Sequence, residues 1–220
     1  MRILDLFSGA GGAAMGYHHA FPDAEIIGVD INPQPRYPFT FEQGDATEWL
    51  WLRTFDLIHA SPPCQNFTSM SNRWRGNGGK ADQHPDFIEI IRWRLTMAGV
   101  PYVIENVTGA RRELIDPILL RGGMFGLGVD RPRLFECSFP VEVPKSAKVL
   151  NPVGVYGQHH DGRRLSTRKD GTIQRAARTL QEGRDAMGID WMEWRELAES
   201  IPPAYTEWIG RQFAETLVPR

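Results

Sequence analysis

The chain opens on a run of apolar positions, Ile3 to Phe7, broken by Ser8-Gly9-Ala10-Gly11-Gly12 and followed by small and apolar residues as far as His19. A short apolar run bounded by glycines suits a buried strand, so this stretch predicts strand, tight loop and helix in succession. The pattern recurs along the first half of the chain. Glu25 to Val29 predicts a second strand ending in Asp30, and Phe55 to Ala60 a third ending in Ser61-Pro62-Pro63-Cys64. Pro85 stands where a first helical position is expected, and Phe87, Ile90, Ile91 and Leu95 follow at helical spacing until Gly99 stops them. Tyr102 to Ile104 predicts a fourth strand, which ends in Glu105-Asn106.

Strands alternating with helices predict an α/β fold with a mostly parallel sheet and helices on both faces. In such sheets ligands sit at the carboxyl ends of the strands, and the glycine loop, Asp30, Cys64 and Glu105 all fall there. Beyond Arg133 the pattern weakens. Val141 to Thr172 mixes Pro, Gly, His and Arg without periodicity, and no elements are assigned to it. Regularity returns with a helix over Trp191 to Ala198 and a break at Pro202-Pro203. A final helix then carries the stripe Tyr205, Trp208, Ile209, Phe213 and Leu217.

Composition narrows the field. A chain of 220 residues supports one core with at most a small appendage. Its 41% hydrophobic and 24% charged residues are those of a soluble protein with no membrane partner, and the start lacks the features of a secretion signal. The expected location is the cytoplasm. Two cysteines, Cys64 and Cys137, argue against a disulfide scaffold and a thiolate metal site. The adjacent pairs His18-His19 and His159-His160 diverge on any regular element, so no metal is expected. A net charge of −2 leaves nucleic-acid attraction to local segments. These are Asn72 to Lys80, with Arg73 and Arg75, and His159 to Lys169, with Arg163, Arg164 and Arg168.

The residues at the strand ends suggest chemistry. A glycine loop between strand and helix lets backbone approach a nucleotide-like ligand, although tight packing alone also uses one. Asp30 has the placement of a carboxylate that accepts both hydroxyls of a ribose, and the loop lacks the Lys-Ser/Thr ending of a phosphate cradle. Together they favour a ligand containing adenosine. In Ser61-Pro62-Pro63-Cys64-Gln65 two prolines stiffen the backbone ahead of a thiol, which reads either as a poised nucleophile or as a small buried hydrophobe. Glu105 emerges from a buried strand, where desolvation makes a carboxyl a usable acid, or else it is an ordinary cap or ion-pair residue.

Asp5-Leu6-Phe7-Ser8-Gly9-Ala10-Gly11-Gly12, Ser61-Pro62-Pro63-Cys64-Gln65 and Ile104-Glu105-Asn106-Val107 resemble, in order and spacing, three signatures of the DNA cytosine-5 methyltransferases. Gly28 to Ile31, Gly44-Asp45-Ala46, Arg131-Pro132-Arg133 and Glu199 to Pro203 extend the resemblance to nearly all of the chain except about 140 to 186. The resemblance implies a Rossmann-like class I methyltransferase with a catalytic domain over 1–139. A short target-recognition region over 140–186 and C-terminal helices over 187–220 complete it.

The implied cofactor is S-adenosyl-L-methionine, leaving S-adenosyl-L-homocysteine as product. It would be surrounded by Phe7, Ser8, Gly9, Ala10, Gly11, Gly12, Asp30, Ile31, Asp45, Ala46, Pro63 and Ser200, with Asp30 on the ribose, Asp45 near the adenine amine and Ser200 closing the site. Cys64 would attack carbon 6 of a cytosine flipped out of duplex DNA. Glu105 would hold and protonate ring nitrogen 3, and Arg133 would help orient the base and the thiolate's surroundings, with Arg131 of the same motif beside it among the catalytic residues. Gln65, Arg73, Arg75, Arg163, Arg164 and Arg168 would contact DNA, with 69–80 closing over it. A monomer without an obligate protein partner is the default.

The chain departs from the family pattern where Val129 replaces Gln and Glu199 replaces Asn, and its recognition region is short, as in compact phage-type members; restriction-modification is a setting the resemblance implies. One other reading follows from these departures, a catalytically impaired DNA- or cofactor-binding module; a related enzyme that methylates cytosine in RNA is a separate alternative.

Overall fold

The structure, a computed structural model, describes residues 1–49, 52–63, 87–145, 147–158, 160, 165–167, 171 and 173–217, the backbone alone at 165–167. β1 (Arg2–Leu6) pairs in parallel with β2 (Glu25–Asp30) on one side and β4 (Leu57–Ala60) on the other. Outward from these, β3 (Thr40–Gln43) joins β2 and β5 (Tyr102–Val107) joins β4, again in parallel. The direction then reverses. β7 (Arg133–Cys137) runs antiparallel to β5 and β6 (Ile118–Leu120) antiparallel to β7, giving the order β3-β2-β1-β4-β5-β7-β6. This is the mostly parallel, Rossmann-like sheet that the alternating pattern predicts.

Both faces are covered. α1 (Gly12–Ala20) and α5 (Pro203–Leu217) share one face, their approach set by Gly16, where an added Cβ would lie 2.1 Å from Pro203 O and from Thr206 Oγ1. Thr206 Oγ1 donates to Ala13 O at 2.8 Å, which satisfies a polar group that this packing buries. Tyr17, Tyr205, Ile209 and Phe213 pack there on Ile3, Leu57, Val103 and Phe135. On the other face α2 (Phe87–Ala98) presents Ile88, Ile91 and Leu95 to Leu4, Leu6, Ile58 and Ile104. Ile90, expected in that stripe, instead points outward and is 42% exposed.

The sequence pattern misses several elements. β3 is an edge strand with mostly exposed residues, and β6 is only three residues long. The stretch Val141 to Thr172, expected to hold none, carries β8 (Val153–Gly154) and β9 (Leu165–Thr167). With β10 (Ile173–Ala176) they form a second sheet of order β8-β10-β9. α3 (Leu180–Met187) follows, capped by the Thr179 hydroxyl accepting from Glu182 N and ended by Gly188 in the left-handed region. The helix expected over Trp191 to Ala198 begins later, as α4 (Trp194–Glu199), behind a reciprocal cap of Glu193 and Glu196. A third cluster, with Val129, Val155, Ala177, Met187, Met192 and Leu197, ties the small sheet and these helices to Ala10 of the glycine loop. No helix among the described residues is long and apolar enough to cross a membrane.

Candidate active site

β1 ends at Leu6, and the chain then turns through left-handed backbone at Phe7 (φ 57°), Gly9 (φ 48°) and Gly11 (φ 85°) before α1 begins. A Cβ at Gly9 would meet nothing within 4 Å, so space stands open above the loop. At Gly12 an added Cβ would lie 2.0 Å from Ser200 Oγ, so Ser200 closes directly on the loop. The indole of Trp191 donates to Ala10 O at 2.8 Å and fixes the same turn from the C-terminal side. Asp30, half-buried at the end of β2, accepts from Gly9 N at 3.0 Å and Asn32 N at 2.9 Å through different oxygens. Ile31 beside it is 64% exposed, an apolar side chain left open at the sheet edge.

Open space over the glycines, an oriented carboxylate and an exposed apolar side chain fit an adenosine-containing cofactor. The remaining lone pairs on Asp30 suit ribose hydroxyls, and Ile31 suits a ring face. Asp45 is exposed, and its Oδ1 caps the turn that follows by accepting from Thr47 N and Oγ1. The methyl of Ala46 lies in the main core, so only the backbone there can face a ligand.

Two strands away the edge is built differently. Glu105 is 7% exposed, and burial pushes its carboxyl above the ordinary range against the lowering influence of Arg133, the Ser61 hydroxyl and Arg131. Arg133 Nε stands 3.1 Å from Oε1, yet that oxygen has no hydrogen-bond partner. The register of β7 puts Arg133 opposite Val107, two residues past Glu105 and on the same face of the sheet. Asn106 donates from Nδ2 to Pro62 O at 3.0 Å and so fastens the proline segment to the end of β5. Pro63 is exposed.

Arg131 does something else. It holds a left-handed backbone (φ 32°), and its guanidinium donates to Ser200 O at 2.7 Å, Val155 O at 2.7 Å and Ala198 O at 2.6 Å. Tyr205 donates to its carbonyl at 2.9 Å. Arg131 thereby pins the segment carrying Ser200 to the small sheet. Val129, where the resemblance leads one to expect Gln, is a buried core residue, and Glu199 is exposed.

The structure thus brings the glycine loop, Asp30, Ile31 and Ser200 together at one part of the edge, and Glu105, Arg133 and the Pro62-Pro63 segment at another. Cys64, Gln65, Arg73, Arg75, Arg163, Arg164 and Arg168 lie outside the described residues, as do His159, Lys169 and the loop 69–80. Sequence reasoning missed Asn106, Trp191, Ser61 and His59. Ser61 and Asn106 stand inside the quoted motifs, where a polar residue flanking a functional one was signal enough to ask what it holds.

No family model matches the chain. A type II methyltransferase of Herpetosiphon aurantiacus, M.HgiGI, is 30% identical over 129 residues, which cover 52% of this chain and 97% of that protein. A probable DNA (cytosine-5)-methyltransferase of Frog virus 3 (isolate Goorha) is 29% identical over 133 residues, 52% of this chain and 58% of the viral protein. The chain therefore spans little more than half the length of the viral relative. Among solved structures, the Entamoeba histolytica methyltransferase EhMeth aligns at a TM-score of 0.66 and 14% identity, over 100% of this chain and 99% of that one, a likeness of fold.

Proposed function

We infer the activity from one premise, that the chain belongs to the DNA cytosine-5 methyltransferase family. It methylates carbon 5 of cytosine in duplex DNA. The observation that carries this reading is Glu105: a buried carboxyl with a raised pKa whose Oε1 is ion-paired to Arg133 but accepts no hydrogen bond, at the edge where Pro62-Pro63 leads into Cys64. A buried oxygen held by an ion pair alone keeps room for one more hydrogen bond, which a ligand group could complete.

Phe7 to Gly12, Asp30, Ile31 and Ser200 hold S-adenosyl-L-methionine, with Asp45, Ala46 and Pro63 at its margin. That cofactor, when bound, supplies an electrophilic methyl group. Carbon 5 of cytosine is a poor nucleophile. The Cys64 thiolate adds to carbon 6 while Glu105 gives its proton to ring nitrogen 3, which makes carbon 5 electron-rich enough to take the methyl group. Water takes the carbon-5 proton, the C5–H electron pair re-forms the C5=C6 bond as the C6–S bond breaks and Cys64 leaves as thiolate, and ring nitrogen 3 returns its proton to Glu105. Arg133 orients the base and the Glu105 carboxyl, and Arg131 acts from behind by placing Ser200.

The target carbon is inaccessible within a paired stack, so the nucleotide enters the site flipped out. Gln65, Arg73, Arg75, Arg163, Arg164 and Arg168 supply the DNA contacts, and 140–186, with the small sheet, is the target-recognition region between the catalytic domain (1–139) and its closing helices (187–220).

The test is incubation of the purified chain with methyl-tritiated S-adenosylmethionine and duplex DNA of varied sequence, with RNA as a parallel substrate. Label in 5-methylcytosine of DNA, lost in Cys64→Ser, is expected. Label confined to RNA, or none in either polymer, overturns the reading.

A further inference from the structure

Behind Glu105 runs a line of hydrogen bonds that the proposed chemistry does not use. Tyr17 of α1 and His59 of β4 are both fully buried, and the Tyr17 hydroxyl lies 3.0 Å from His59 Nδ1. The other ring nitrogen, Nε2, lies 3.0 Å from Ser61 Oγ, and the Ser61 hydroxyl stands near enough to the Glu105 carboxyl to favour its charged form. Tyr17, His59 and Ser61, from α1, β4 and the segment after β4, thus form one connected line that leads to Glu105 of β5. It lies on the face of the sheet that packs against α1 and α5.

Counting protons gives the line a direction. Burial pushes the His59 imidazole down to about 3, so near neutral pH the ring is uncharged and carries one N–H. Were that hydrogen on Nδ1, the hydroxyl hydrogen of Tyr17 would face another donor inside an apolar core, which leaves a buried donor unsatisfied. With the hydrogen on Nε2, every group is served. Tyr17 donates to Nδ1, Nε2–H donates to Ser61 Oγ, and the Ser61 hydrogen is left to go to Glu105.

We propose that Tyr17 and His59 are positioning residues of the catalytic edge: they fix the direction of the Ser61 hydroxyl, so that it donates to one carboxyl oxygen of Glu105 and presents Oε1 to the base. The kinetic consequence rests on the proposed methyl transfer, but the hydrogen-bond direction does not. A donor to the carboxylate favours its charged form and offsets part of the desolvation that holds the proton on. Other charged or titratable groups face the line. Arg133 and Arg131 act on Glu105, while Asp5, the strand neighbour of His59, and Cys137 act on Tyr17.

The test uses the whole chain and nuclear magnetic resonance. Nitrogen-15 spectra of histidine-labelled protein are expected to show one imidazole that stays neutral from about pH 5 to 8 and carries its hydrogen on Nε2. A hydrogen on Nδ1 overturns the proposal. Carbon-13 titration of the Glu105 carboxyl then measures the coupling: Ser61→Ala is expected to raise its proton affinity about tenfold. Tyr17→Phe should act in the same direction through the freed histidine, and the double variant should move no further than Ser61→Ala alone. An unmoved titration in Tyr17→Phe, or effects that sum, overturns the relay. Ser61→Thr, which keeps the hydroxyl, should restore the wild-type titration where Ser61→Val does not, and this holds the proposal to account even if Tyr17→Phe fails to fold. In the methylation assay the alkaline limb of the pH profile should shift upward with the carboxyl. An inactive wild type that passes both titrations defeats the proposed function and leaves the relay standing.

Discussion

Two carboxylic acids sit at the same edge of one sheet and are built for opposite tasks. Asp30, at the end of β2, is half-buried and accepts from two backbone amides, with the exposed Ile31 alongside. Glu105, in β5, is 7% exposed, keeps one oxygen without a hydrogen bond, and has its pKa raised by burial despite the Arg133 ion pair at 3.1 Å. Amide donors make the first an acceptor for hydroxyls, and desolvation makes the second a holder of a proton. The difference comes from the neighbours. β2 lies beside the edge strand β3, whereas β5 is flanked by β4 and by the reversed strand β7, which delivers Arg133 to the Glu105 face. One sheet edge acquires two chemistries because the reversed strand beside β5 brings in a cation that the parallel strands around β2 do not.

The most damaging change to this contrast is Glu105→Gln, which keeps size and polarity but removes the proton. The rate of methyl transfer at saturating substrates is expected to fall about 10²- to 10⁴-fold, the usual contribution of a positioned general acid. The dissociation constant for S-adenosyl-L-homocysteine, measured by calorimetry, should stay at the wild-type value. A loss under tenfold would deny Glu105 its acid role. Asp30→Ala makes the complementary break. Losing an acceptor for ribose hydroxyls should weaken S-adenosyl-L-homocysteine about 10- to 100-fold, as hydrogen bonds to a charged group do. The rate at saturating cofactor should hardly change, and a mainly kinetic defect would mean that the two halves are not separable.

The sequence made the first half of this edge legible and much of the second obscure, for physical reasons. The strands leading to Asp30 and Glu105 are buried on both faces and read as continuous apolar runs, so their ends, and the acids on them, could be placed. β7 was not legible. Arg133 was named from its motif, but nothing in Arg133-Leu134-Phe135-Glu136-Cys137 states that it reverses against β5 and so lands beside Glu105. The small sheet was missed because strands of two to four residues carry no measurable period. α3 was there to be read, since Thr179 and Glu182 stand at the spacing of an N-terminal cap and Gly188 at the stop. The three bonds from Arg131 to carbonyls far along the chain were beyond any local pattern.

Two glycine substitutions sharpen the contrast between ligand space and packing within the cofactor half. Gly9 is left-handed with open space beyond it, so Gly9→Ala should cost the fold only about 1–2 kcal/mol, the strain of that backbone for an alanine. Its methyl nonetheless enters the room kept for the cofactor, and S-adenosyl-L-homocysteine should bind more weakly. Gly12→Ala has ordinary backbone but drives a Cβ to within 2.5 Å of Ile201 O, so the C-terminal segment must shift, at about 1–3 kcal/mol. Urea denaturation read beside calorimetry should therefore show Gly12→Ala losing at least as much stability as Gly9→Ala. If Gly9→Ala leaves cofactor affinity unchanged, the open space above the loop is not where the cofactor lies.

The smallest effect separates the two acids by pH. A carboxyl whose pKa is raised on folding stabilises the native state below its unfolded pKa, and that contribution is lost as pH rises through the folded value. Glu105 behaves this way because folding strips its water. Glu105→Gln has no such proton to lose, so its melting temperature should gain on that of the wild type as pH is raised from about 4 to 8. Asp5, also raised by burial, titrates in both proteins and drops out of the difference. A steadily widening gap in favour of the variant supports a proton held by burial. Parallel melting curves would mean that Arg133 and the Ser61 hydroxyl already balance the desolvation, and the acid half of the edge would then need its proton from elsewhere.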